Sequence, residues 1–536
     1  MRALLSVYDK TGLEAFARGL VDLGWEVIAS GNTSRALGEA GIAHVTVEAV
    51  TGSPEMLGGR VKTLHPRIHG GILANLDEEQ HRADLEANGI EPIGLVACNL
   101  YPFASQPSIE MIDIGGPTMV RAAAKNHDHV TVVVDPSEYG EVLDELRREG
   151  EVSHVTRRRL ARSAFSHTAA YDAAIVSWFD STITTAQGGE PPDPLPRTIH
   201  FALERAQDLR YGENPHQHGA RYRVLSGPGA PVRALAASGQ AAGDSRGGNG
   251  WWESAVQHGG RELSYLNLFD ADAAWRLCHE MLALNGVGAA AVIVKHANPC
   301  GAAIENAGGD LAAAYQRAFE ADANSAFGGI VALSGRVDLA LAEQIVANPL
   351  ADVLVARGYD EDALGFLSER RRNMRSLSAE PPGELGLVLR QIDGGFLVQQ
   401  ADRLVAGRSQ WRTVTKAVPT EDNWRDVELA WLVCARTLSN AIVLSNNGQI
   451  VGVGCGQQSR VDAAGLAARK AAGRAEGGAG ASDAFFPFRD GLDAVADSGV
   501  SVVVQPGGAM RDDEMIAAAD ERNIAMVLTG ERHFRH

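Results

Sequence analysis

The chain has 536 residues, of which 45% are hydrophobic and 22% charged, and its formal net charge is −18. This composition is typical of a globular protein of three or four domains. The acidic balance argues against a nucleic-acid partner, which needs a basic face, although a local basic pocket can still bind a small anion. The five cysteines are scattered without a Cys-x-x-Cys pair, so we expect no structural zinc and a reducing, cytoplasmic environment.

Neither a membrane span nor a signal peptide is expected from the sequence. No apolar run approaches the length of about 18 residues that a spanning helix needs. The N-terminal stretch MRALLSVYDKTG lacks a long apolar segment and a small-residue cleavage site.

Strands and helices alternate in the first fifty residues. Strands are predicted at 3–8, 25–30 and 44–47. Between the first two, an apolar stripe with helical spacing consists of Leu13, Phe16, Ala17, Leu20 and Val21. This order predicts a parallel, doubly wound sheet, to which 95–103 and 130–135 add later strands.

The Pro- and Gly-rich stretch at 186–196 predicts the main domain boundary. We therefore expect one domain at 1–190 and another at 198–536, with a glycine-rich insertion near 238–250. The stretch at 471–482 is interpreted as a loop between a helix and a strand.

The second domain starts new α/β patterns. Strands are predicted at 289–296 and 328–335, a hairpin at 439–456 with its turn at Asn447–Gly448, and a closing βαβ unit at 501–530. No repeat of fixed period is apparent.

Three loops of the first domain are candidates for binding a phosphate. They lie at 6–12, 30–33 and 112–118, after predicted strands or at the start of a predicted helix, where backbone N–H groups are available. The alternative is that their glycines only permit a turn. No G-x-G-x-x-G or Walker motif is present, so a dinucleotide or a nucleoside triphosphate is disfavoured.

A denser basic segment spans 58–71. It holds Arg60, Lys62, His65, Arg67 and His69 between glycines. This pattern indicates a loop that grips a phosphate and polarises an oxygen. A solvated basic loop remains an alternative, and so, more weakly, does a metal pair of the two histidines, although Pro66 makes a continuous helix doubtful.

The pair Lys295–His296 ends a predicted strand before an Asn-Pro turn. Neighbouring strand residues point to opposite faces, so the two side chains can serve one site only if the strand ends there. The ammonium disfavours protonation of the imidazole, so we expect His296 to be neutral at pH 7 and able to accept a proton. Lys295 could then donate to an oxyanion, a combination suited to acyl transfer onto a weakly nucleophilic amine. The alternative is a surface lysine beside a core histidine.

Three other segments offer polar or aromatic groups. The loop at 209–217 carries Arg, Tyr, Asn and His, and 454–460 ends a strand with Gln and Arg. The segment 482–491 has three phenylalanines beside Asp490, which could bind a flat heterocycle or form an ordinary core cluster. Cys300 is interpreted as an inert buried thiol rather than a nucleophile.

Taken together, these segments resemble the family that joins phosphoribosylaminoimidazolecarboxamide (AICAR) formyltransferase to IMP cyclohydrolase. The resemblance covers essentially the whole chain. It depends on an ordered series of short motifs, which are SVYDKTG, GGRVKTLHP, CNLYPF, IDIGG, RAAAKNH, LRYGENPHQ, VKHANPCG, SAFGG, SNAI, GQQSR, SDAFFPFRDG, QPGG and RHFRH.

This resemblance implies an N-terminal domain with a methylglyoxal-synthase-like fold and a C-terminal transformylase of two cytidine-deaminase-like α/β units without zinc. The implied catalytic residues are Lys62, Tyr101, Asp113 and Lys125 for ring closure and Lys295 and His296 for formyl transfer. The implied nucleotide-binding residues are Lys10, Ser30, Thr33, Arg60, Arg210, Tyr211, Asn267, Asn440 and Arg532. The implied folate-binding residues are Gln458, Arg460, Phe485, Phe488 and Asp490.

The resemblance further implies the last two steps of IMP synthesis, with 10-formyltetrahydrofolate as co-substrate, no tightly bound cofactor and no metal. It implies a homodimer that shares its transformylase sites, with small molecules as the only other partners. Two alternatives remain open from the residues alone: a non-catalytic nucleotide-binding regulator on the same scaffold, and a zinc deaminase, which the missing Cys-x-x-Cys disfavours.

Overall fold

The computed structural model describes residues 1–182, 195–226 and 250–536, arranged in two compact units. The first unit comprises residues up to 204 together with 222–226 and 386–400, and the second comprises the remaining described residues. The predicted linker at 186–196 and the predicted insertion at 238–250 lie almost entirely outside the described residues, so the domain bounds stay predictions. Within the described ranges, no helix is both long and apolar enough to cross a membrane.

The first unit contains a five-stranded sheet flanked by helices. Its strands are β1 (Arg2–Leu5), β2 (Glu26–Ala29), β3 (Val45–Thr46), β4 (Ile93–Ala97) and β5 (Thr131–Val133). Its helices are α1 (Leu13–Asp22), α2 (Gly31–Glu39), α3 (Val47–Thr51), α4 (Pro66–Leu73), α5 (Glu79–Ala87), α6 (Gly115–Lys125), α7 (Tyr139–Glu149) and α8 (His154–Thr182). The strand order is β3-β2-β1-β4-β5 and every pair is parallel, which confirms the predicted doubly wound sheet.

Both faces of this sheet are covered by hydrophobic clusters. Along β1, Leu4 packs into one cluster, while Ala3 and Leu5 pack into the other. Strands buried on both faces are typical of parallel sheets with helices on either side. The strand order reverses between β1 and β4, so a crevice is expected beyond the carboxyl ends of these two strands.

A twelve-stranded sheet forms the second unit. Its first half contains β8 (Val256–Gly259), α9 (Tyr265–Leu282), β9 (Val287–Lys295), β10 (Asn298–Asn306), α10 (Leu311–Ala321), α11 (Ala323–Ala326), β11 (Ile330–Val337), α12 (Leu339–Ala347), β12 (Val353–Tyr359), α13 (Glu361–Arg370) and β13 (Arg375–Ser378). Its second half contains β16 (Arg412–Thr413), α14 (Glu421–Ala435), β17 (Ile442–Asn446), β18 (Gln449–Gly454), α15 (Arg460–Ala471), β19 (Ala479–Ser482), α16 (Arg489–Ala496), β20 (Val502–Gln505), α17 (Asp512–Glu521) and β21 (Ala525–Leu528). Two small sheets pair β6 (Ala202–Leu209) with β7 (Gly219–Ser226) and β14 (Leu387–Ile392) with β15 (Gly395–Gln400).

The two halves of the large sheet are duplicates of each other. The strand order is β16-β21-β20-β19-β17-β18-β10-β9-β11-β12-β13-β8, so each strand of one half has a counterpart at the mirrored place in the other. The halves meet where β10 pairs antiparallel with β18, at Ala303 and Gln449. This pairing relates them by an approximate twofold axis and puts the starts of β10 and β18 at opposite edges of the sheet.

Matching residues mark the duplication. Helices α9 and α14 both begin with a capping box, formed by Ser264 or Thr420 with an asparagine three residues later. Four residue types then recur with the same spacing, as Asn267, Asp270, Trp275 and Cys278 in α9 and as Asn423, Asp426, Trp431 and Cys434 in α14. The sequence shows no obvious repeat because so few positions match over so long a distance.

Helices cover both faces of the duplicated sheet. On one face α9 and α14 pack into a single hydrophobic cluster that includes Trp275 and Trp431. The other face carries separate clusters for the two halves. The region 471–482, predicted as a loop, ends in the buried strand β19, because its small residues pair between β17 and β20.

Candidate active sites

Hydroxyl groups link the loops that follow β1 and β2, beside the crevice of the first unit. Ser6 Oγ lies 2.9 Å from Ser30 Oγ. Thr33 Oγ1 accepts from the Val7 N–H at 3.0 Å and donates to the Val7 carbonyl at 3.0 Å. Its one O–H therefore donates within the fold, and the predicted role of Thr33 near a phosphate stays a prediction. The first amides of α2, which begins at Gly31, remain suited to an anion.

The Lys10 ammonium belongs to the same crevice. Its Nζ donates to the backbone carbonyls of Val7 and Tyr8, the latter at 3.1 Å. Burial lowers the pKa of Lys10, and the neighbouring Asp9 carboxylate partly opposes that shift. A cation already close to the loop after β1 provides charge for an anionic ligand.

Lys62 also reaches this crevice. Its Nζ lies 3.1 Å from Glu55 Oε2, and a β-carbon placed on Gly31 would lie 3.1 Å from the same Nζ. The ammonium therefore lies against the first residue of α2. Arg60, in contrast, is exposed and pairs with Glu110.

Tyr101 and Asp113 form the polar centre of the first unit. Burial raises the pKa of Asp113, while hydrogen bonds from the Gly116, Tyr101 and Gly115 amides oppose the shift. Burial also raises the pKa of Tyr101, reinforced by Asp113 and opposed by Lys62. The predicted residues Lys62, Tyr101 and Asp113 thus lie close enough to influence one another electrostatically.

Two residues of this centre were not predicted. Glu55 holds the Lys62 ammonium, and Tyr171 of α8 accepts from the Asp113 N–H at 2.9 Å while donating to the Met111 carbonyl at 2.7 Å. No local signal marks Tyr171, because it belongs to an otherwise ordinary helix far along the chain.

Lys125 lies apart from this centre within one chain. It is the last residue of α6 and exposed, whereas Asp113 precedes the start of the same helix. At 1.5 Å per residue, ten residues of helix separate the two ends by about 15 Å. Its predicted catalytic role stays a prediction.

In the second unit, β9 ends at Lys295, one residue before the predicted end at 296. The turn consists of His296 and Ala297 instead of the predicted Asn-Pro, because Asn298 and Pro299 already pair with β9 as the start of β10. The Lys295 Nζ donates to the Phe327 carbonyl at 2.7 Å, and His296 is exposed at the first position of the turn into β10. Because the strand ends there, the two side chains are not forced onto opposite faces of the sheet.

Neighbouring segments tie this turn to other predicted residues. Asn298 Oδ1 accepts from the Leu438 N–H at 2.9 Å, two residues before Asn440. The Asn440 amide in turn donates to the Gln457 carbonyl at 3.0 Å. Arg535 donates to the Ala297 carbonyl at 3.1 Å, which brings the C-terminal segment of Arg532 to the same turn.

A cavity of about 270 Å³ lies at the same edge of the sheet, where β12 and β13 begin. Its lining joins predicted and unpredicted residues, namely Arg210, Tyr211, Arg261, Ser264, Asn267, Leu350, Ala351, Asp352, Asn373, Met374 and Arg375. Burial lowers the pKa of Arg375, as do the positive charges of Arg210 and Arg261, while Asp352 opposes the shift. Three guanidinium groups around one cavity indicate a site for an anion.

Arg460 and Arg532 share an aromatic neighbour. The Phe534 ring lies 5.9 Å from the Arg460 guanidinium and 4.3 Å from that of Arg532. Arg460 also pairs with the fully buried Asp483 at 3.0 Å, which the sequence analysis missed. This buried pair holds Arg460 in place.

The stretch of three phenylalanines divides between core and surface. Phe486 is fully buried, whereas 37% of Phe485 and 55% of Phe488 is exposed. The Arg511 guanidinium lies 5.2 Å from the Phe488 ring. Gln458 and Asp490 are exposed as well, and Asp490 accepts from the Gly491 N–H at 2.8 Å. Phe486 therefore fits the interpretation as a core cluster, whereas Phe485 and Phe488 remain available to a flat heterocycle.

The histidine pair of the basic segment is not built as a helical metal site. His65 precedes α4 and caps it, with Nδ1 accepting from the Arg67 N–H at 3.1 Å. A separate group of possible ligands, His127, Asp128 and His154, lies partly exposed elsewhere in the first unit, with Asp128 already bonded to His154 at 2.9 Å. Burial raises the pKa of Cys300 to about 12, as expected for an inert thiol.

Comparisons with known proteins match both units. A family model described as "AICARFT/IMPCHase bienzyme" matches residues 123–470, and one described as "MGS-like domain" matches residues 12–128. The chain is 48% identical to the "Bifunctional purine biosynthesis protein PurH" of Sorangium cellulosum (strain So ce56), over 100% of this chain and 99% of that protein. It is also 48% identical to the protein of the same description from Myxococcus xanthus (strain DK1622), over 100% of both chains. A solved structure described as "Crystal structure of ForH" is 40% identical, covers 33% of this chain and 97% of that chain, and has a TM-score of 0.31.

Proposed function

The chain belongs to the AICARFT/IMPCHase bienzyme family, and from that premise we propose how its residues divide two reactions between two sites. The enzyme catalyses the last two steps of IMP synthesis, formyl transfer to AICAR and dehydrative ring closure. The resemblance drawn from the sequence is thereby confirmed, and a non-catalytic regulator is not favoured. We assign formyl transfer to the second unit and ring closure to the first.

In formyl transfer, the 5-amine of AICAR attacks the formyl carbon of 10-formyltetrahydrofolate, and the bond from that carbon to the folate nitrogen breaks. His296 accepts the amine proton, and Lys295 either stabilises the oxyanion or donates a proton to the leaving folate nitrogen. The site geometry supports these roles because His296 is exposed and Lys295 ends its strand beside it.

The remaining predicted residues of the second unit bind the two substrates. The cavity beside Arg210, Tyr211 and Asn267 suits the anionic nucleotide, because guanidinium groups surround it. We place Asn440 and Arg532 at the nucleotide as well. The folate is assigned to the surface that carries Gln458, Arg460, Phe485, Phe488 and Asp490, where an exposed ring can stack on a flat heterocycle.

In ring closure, the carboxamide nitrogen of the formylated product attacks its own formyl carbon, and water leaves. Lys62, Tyr101 and Asp113 move the protons, with Lys125 as a further candidate. The crevice of Lys10, Ser30, Thr33 and Arg60 receives the phosphate, with Thr33 shaping the loop. Because nucleophile and electrophile belong to one molecule, positioning supplies much of the rate.

We further propose a cytoplasmic homodimer with shared transformylase sites, no tightly bound cofactor and no metal. The family resemblance supports this assembly, and sedimentation of the purified chain at several concentrations tests it. A monomer at all concentrations that retains full formyl transfer would contradict the shared sites.

The observation that carries the proposal is the full-length identity of 48% to bifunctional relatives, combined with one polar constellation in each compact unit. His296→Ala should lower formyl transfer by about 100-fold or more, because a general base typically contributes that much. Closure of added formylated nucleotide should stay unchanged. Asp113→Asn should show the reverse pattern. Loss of both activities in either folded variant contradicts the division between two sites.

A further inference from the structure

The turn that carries His296 has an unusual backbone. Lys295 and Asn298 face each other across the β9–β10 hairpin, so His296 and Ala297 form a two-residue turn. Their φ angles are 54° and 56°. Such turns favour Asn and Gly, because other residues in this left-handed region cost about 1–2 kcal/mol each. His296 and Ala297 are therefore unfavourable residue types for this turn, which carries the proposed proton acceptor.

A buried carboxylate bonds both amides of this turn. Asp270 of α9 is 8% exposed, and its Oδ2 accepts from the His296 N–H at 3.0 Å. Its Oδ1 accepts from the Ala297 N–H at 2.8 Å. Burial raises the pKa of Asp270, while the two amide hydrogen bonds oppose the shift. Hydrogen bonds to an ionised acceptor are about twice as strong as neutral ones.

Both carbonyl groups of the turn are bonded as well. The Asn298 side chain donates to the His296 carbonyl at 2.9 Å, and Arg535 donates to that of Ala297 at 3.1 Å. All four backbone groups of the two turn residues therefore have partners. A strained conformation persists where its surroundings over-determine it in this way.

The second half of the sheet contains an equivalent turn bonded by a carboxylate, but that turn has no Lys–His pair. Asp426 of α14 accepts from the amides of Asn447 and Gly448 at 2.8 and 2.7 Å. That turn consists of Asn and Gly, the residues that adopt it most readily. It lies at the opposite edge of the sheet, because β10 and β18 run antiparallel.

We propose that Asp270 is a positioning residue for formyl transfer, which holds the His296–Ala297 turn left-handed and thereby presents Lys295 and His296 together at the substrate edge. The inference rests on the proposed function of that pair. Asp270 does not touch the reacting atoms. It acts through the two amides, one helical turn from Asn267 at the nucleotide cavity.

The test compares Asp270→Asn with Asp426→Asn in the full chain. Asparagine keeps the shape but offers one acceptor, so one turn amide loses its partner in each variant. For D270N, kcat of formyl transfer should fall about 10- to 100-fold, because small misplacement of a catalytic group costs that much. KM for AICAR should stay unchanged, since the cavity is intact. For D426N, kcat should stay unchanged even if the melting temperature falls equally.

Rescue separates positioning from folding. Ala297→Gly makes the left-handed conformation inexpensive, so D270N/A297G should regain most of the lost kcat. Circular dichroism and thermal melting of the same samples report whether the second unit is folded, which ring closure in the first unit does not. A folded D270N with full formyl transfer overturns the inference, and so does a D426N that loses as much kcat or a double variant without recovery. If the unaltered chain itself lacks formyl transfer, the proposed function fails instead.

Discussion

Individual side chains hold the loops that carry both sites, and Thr33 is an example. Its position at the start of α2 resembles that of a phosphate ligand, yet its hydroxyl donates to and accepts from Val7. Thr33 is 3% exposed. Its removal should therefore affect stability through the buried Val7 amide, which would lose its partner.

Thr33→Val preserves the shape and removes the hydroxyl. We expect the free energy of unfolding to fall by about 1–3 kcal/mol, the cost of leaving buried polar groups unpaired. Urea denaturation measures the change. Ser34→Ala is the matched control, because the Ser34 hydroxyl bonds the half-buried His44 ring at 2.8 Å and should cost less. An equal loss in both variants would show that the Val7 hydrogen bonds are unimportant.

The sequence could predict charged residues in local motifs but not those that support them from afar. Lys62 stands in the basic segment, and the family resemblance implies Tyr101 and Asp113; the structure places the three close enough to influence one another. Tyr171 and Asp483 were missed, because each reaches its partner only through tertiary packing. Arg375 likewise joins the cavity from the start of β13, and the charged run at 369–372 before it looks like an ordinary exposed surface.

Glycines set how closely strands approach helices in the duplicated sheet. A β-carbon on Gly454 of β18 would lie 1.9 Å from the Ala463 carbonyl oxygen of α15. One on Gly301 of β10 would lie 1.9 Å from the Ala318 carbonyl oxygen of α10. Both halves therefore pack strand and helix backbones in close contact, which no side chain allows.

Gly454→Ala should lower the melting temperature strongly. The added methyl forces α15 away from β18, and overpacking of this kind costs about 1–3 kcal/mol or more. Gly465→Ala is the control, because its β-carbon would meet open space on the same helix and should stabilise by about 0.5–1 kcal/mol. Calorimetry compares the two. A neutral Gly454→Ala would mean that α15 is free to move outward.

Elements with strong periodicity were predictable, whereas small-residue strands and the duplication were not. The 439–456 hairpin and its Asn447–Gly448 turn are confirmed. Helix α2 begins at Gly31, inside the loop at 30–33 that the sequence analysis treats as a candidate phosphate loop. Strand β19 has the sequence AGAS, which carries no apolar alternation to reveal it.

The stability of the second unit should depend on pH through a buried pair near the C-terminus. His533 is 3% exposed, and its Nδ1 lies 2.8 Å from Asp402 Oδ1. Burial lowers the pKa of His533, but Asp402 and Glu531 outweigh it, so the net shift is upward. Burial raises the pKa of Asp402, but bonds to His533 and Arg436 outweigh it, so the net shift is downward.

A histidine with a raised pKa contributes stability that is complete below its unfolded pKa and lost as pH rises through the folded value. Between about pH 6.5, the usual value for histidine, and the raised pKa of His533, the folded protein should lose stability. His533→Gln should lack this change. Melting temperatures of the unaltered chain and of His533→Gln, measured across that pH window, check the prediction through their difference. Parallel curves would show that His533 does not gain charge on folding.

The antiparallel seam at Ala303 and Gln449 has one more consequence. A twofold rotation about it superimposes the His296–Ala297 turn on the Asn447–Gly448 turn. The second turn has the same bonded carboxylate but no Lys–His pair. The second turn therefore serves as an internal control for the first. The Asp-bonded turn recurs at both ends and therefore belongs to the architecture of the duplicated sheet, whereas the Lys295–His296 pair occurs at only one of the two turns.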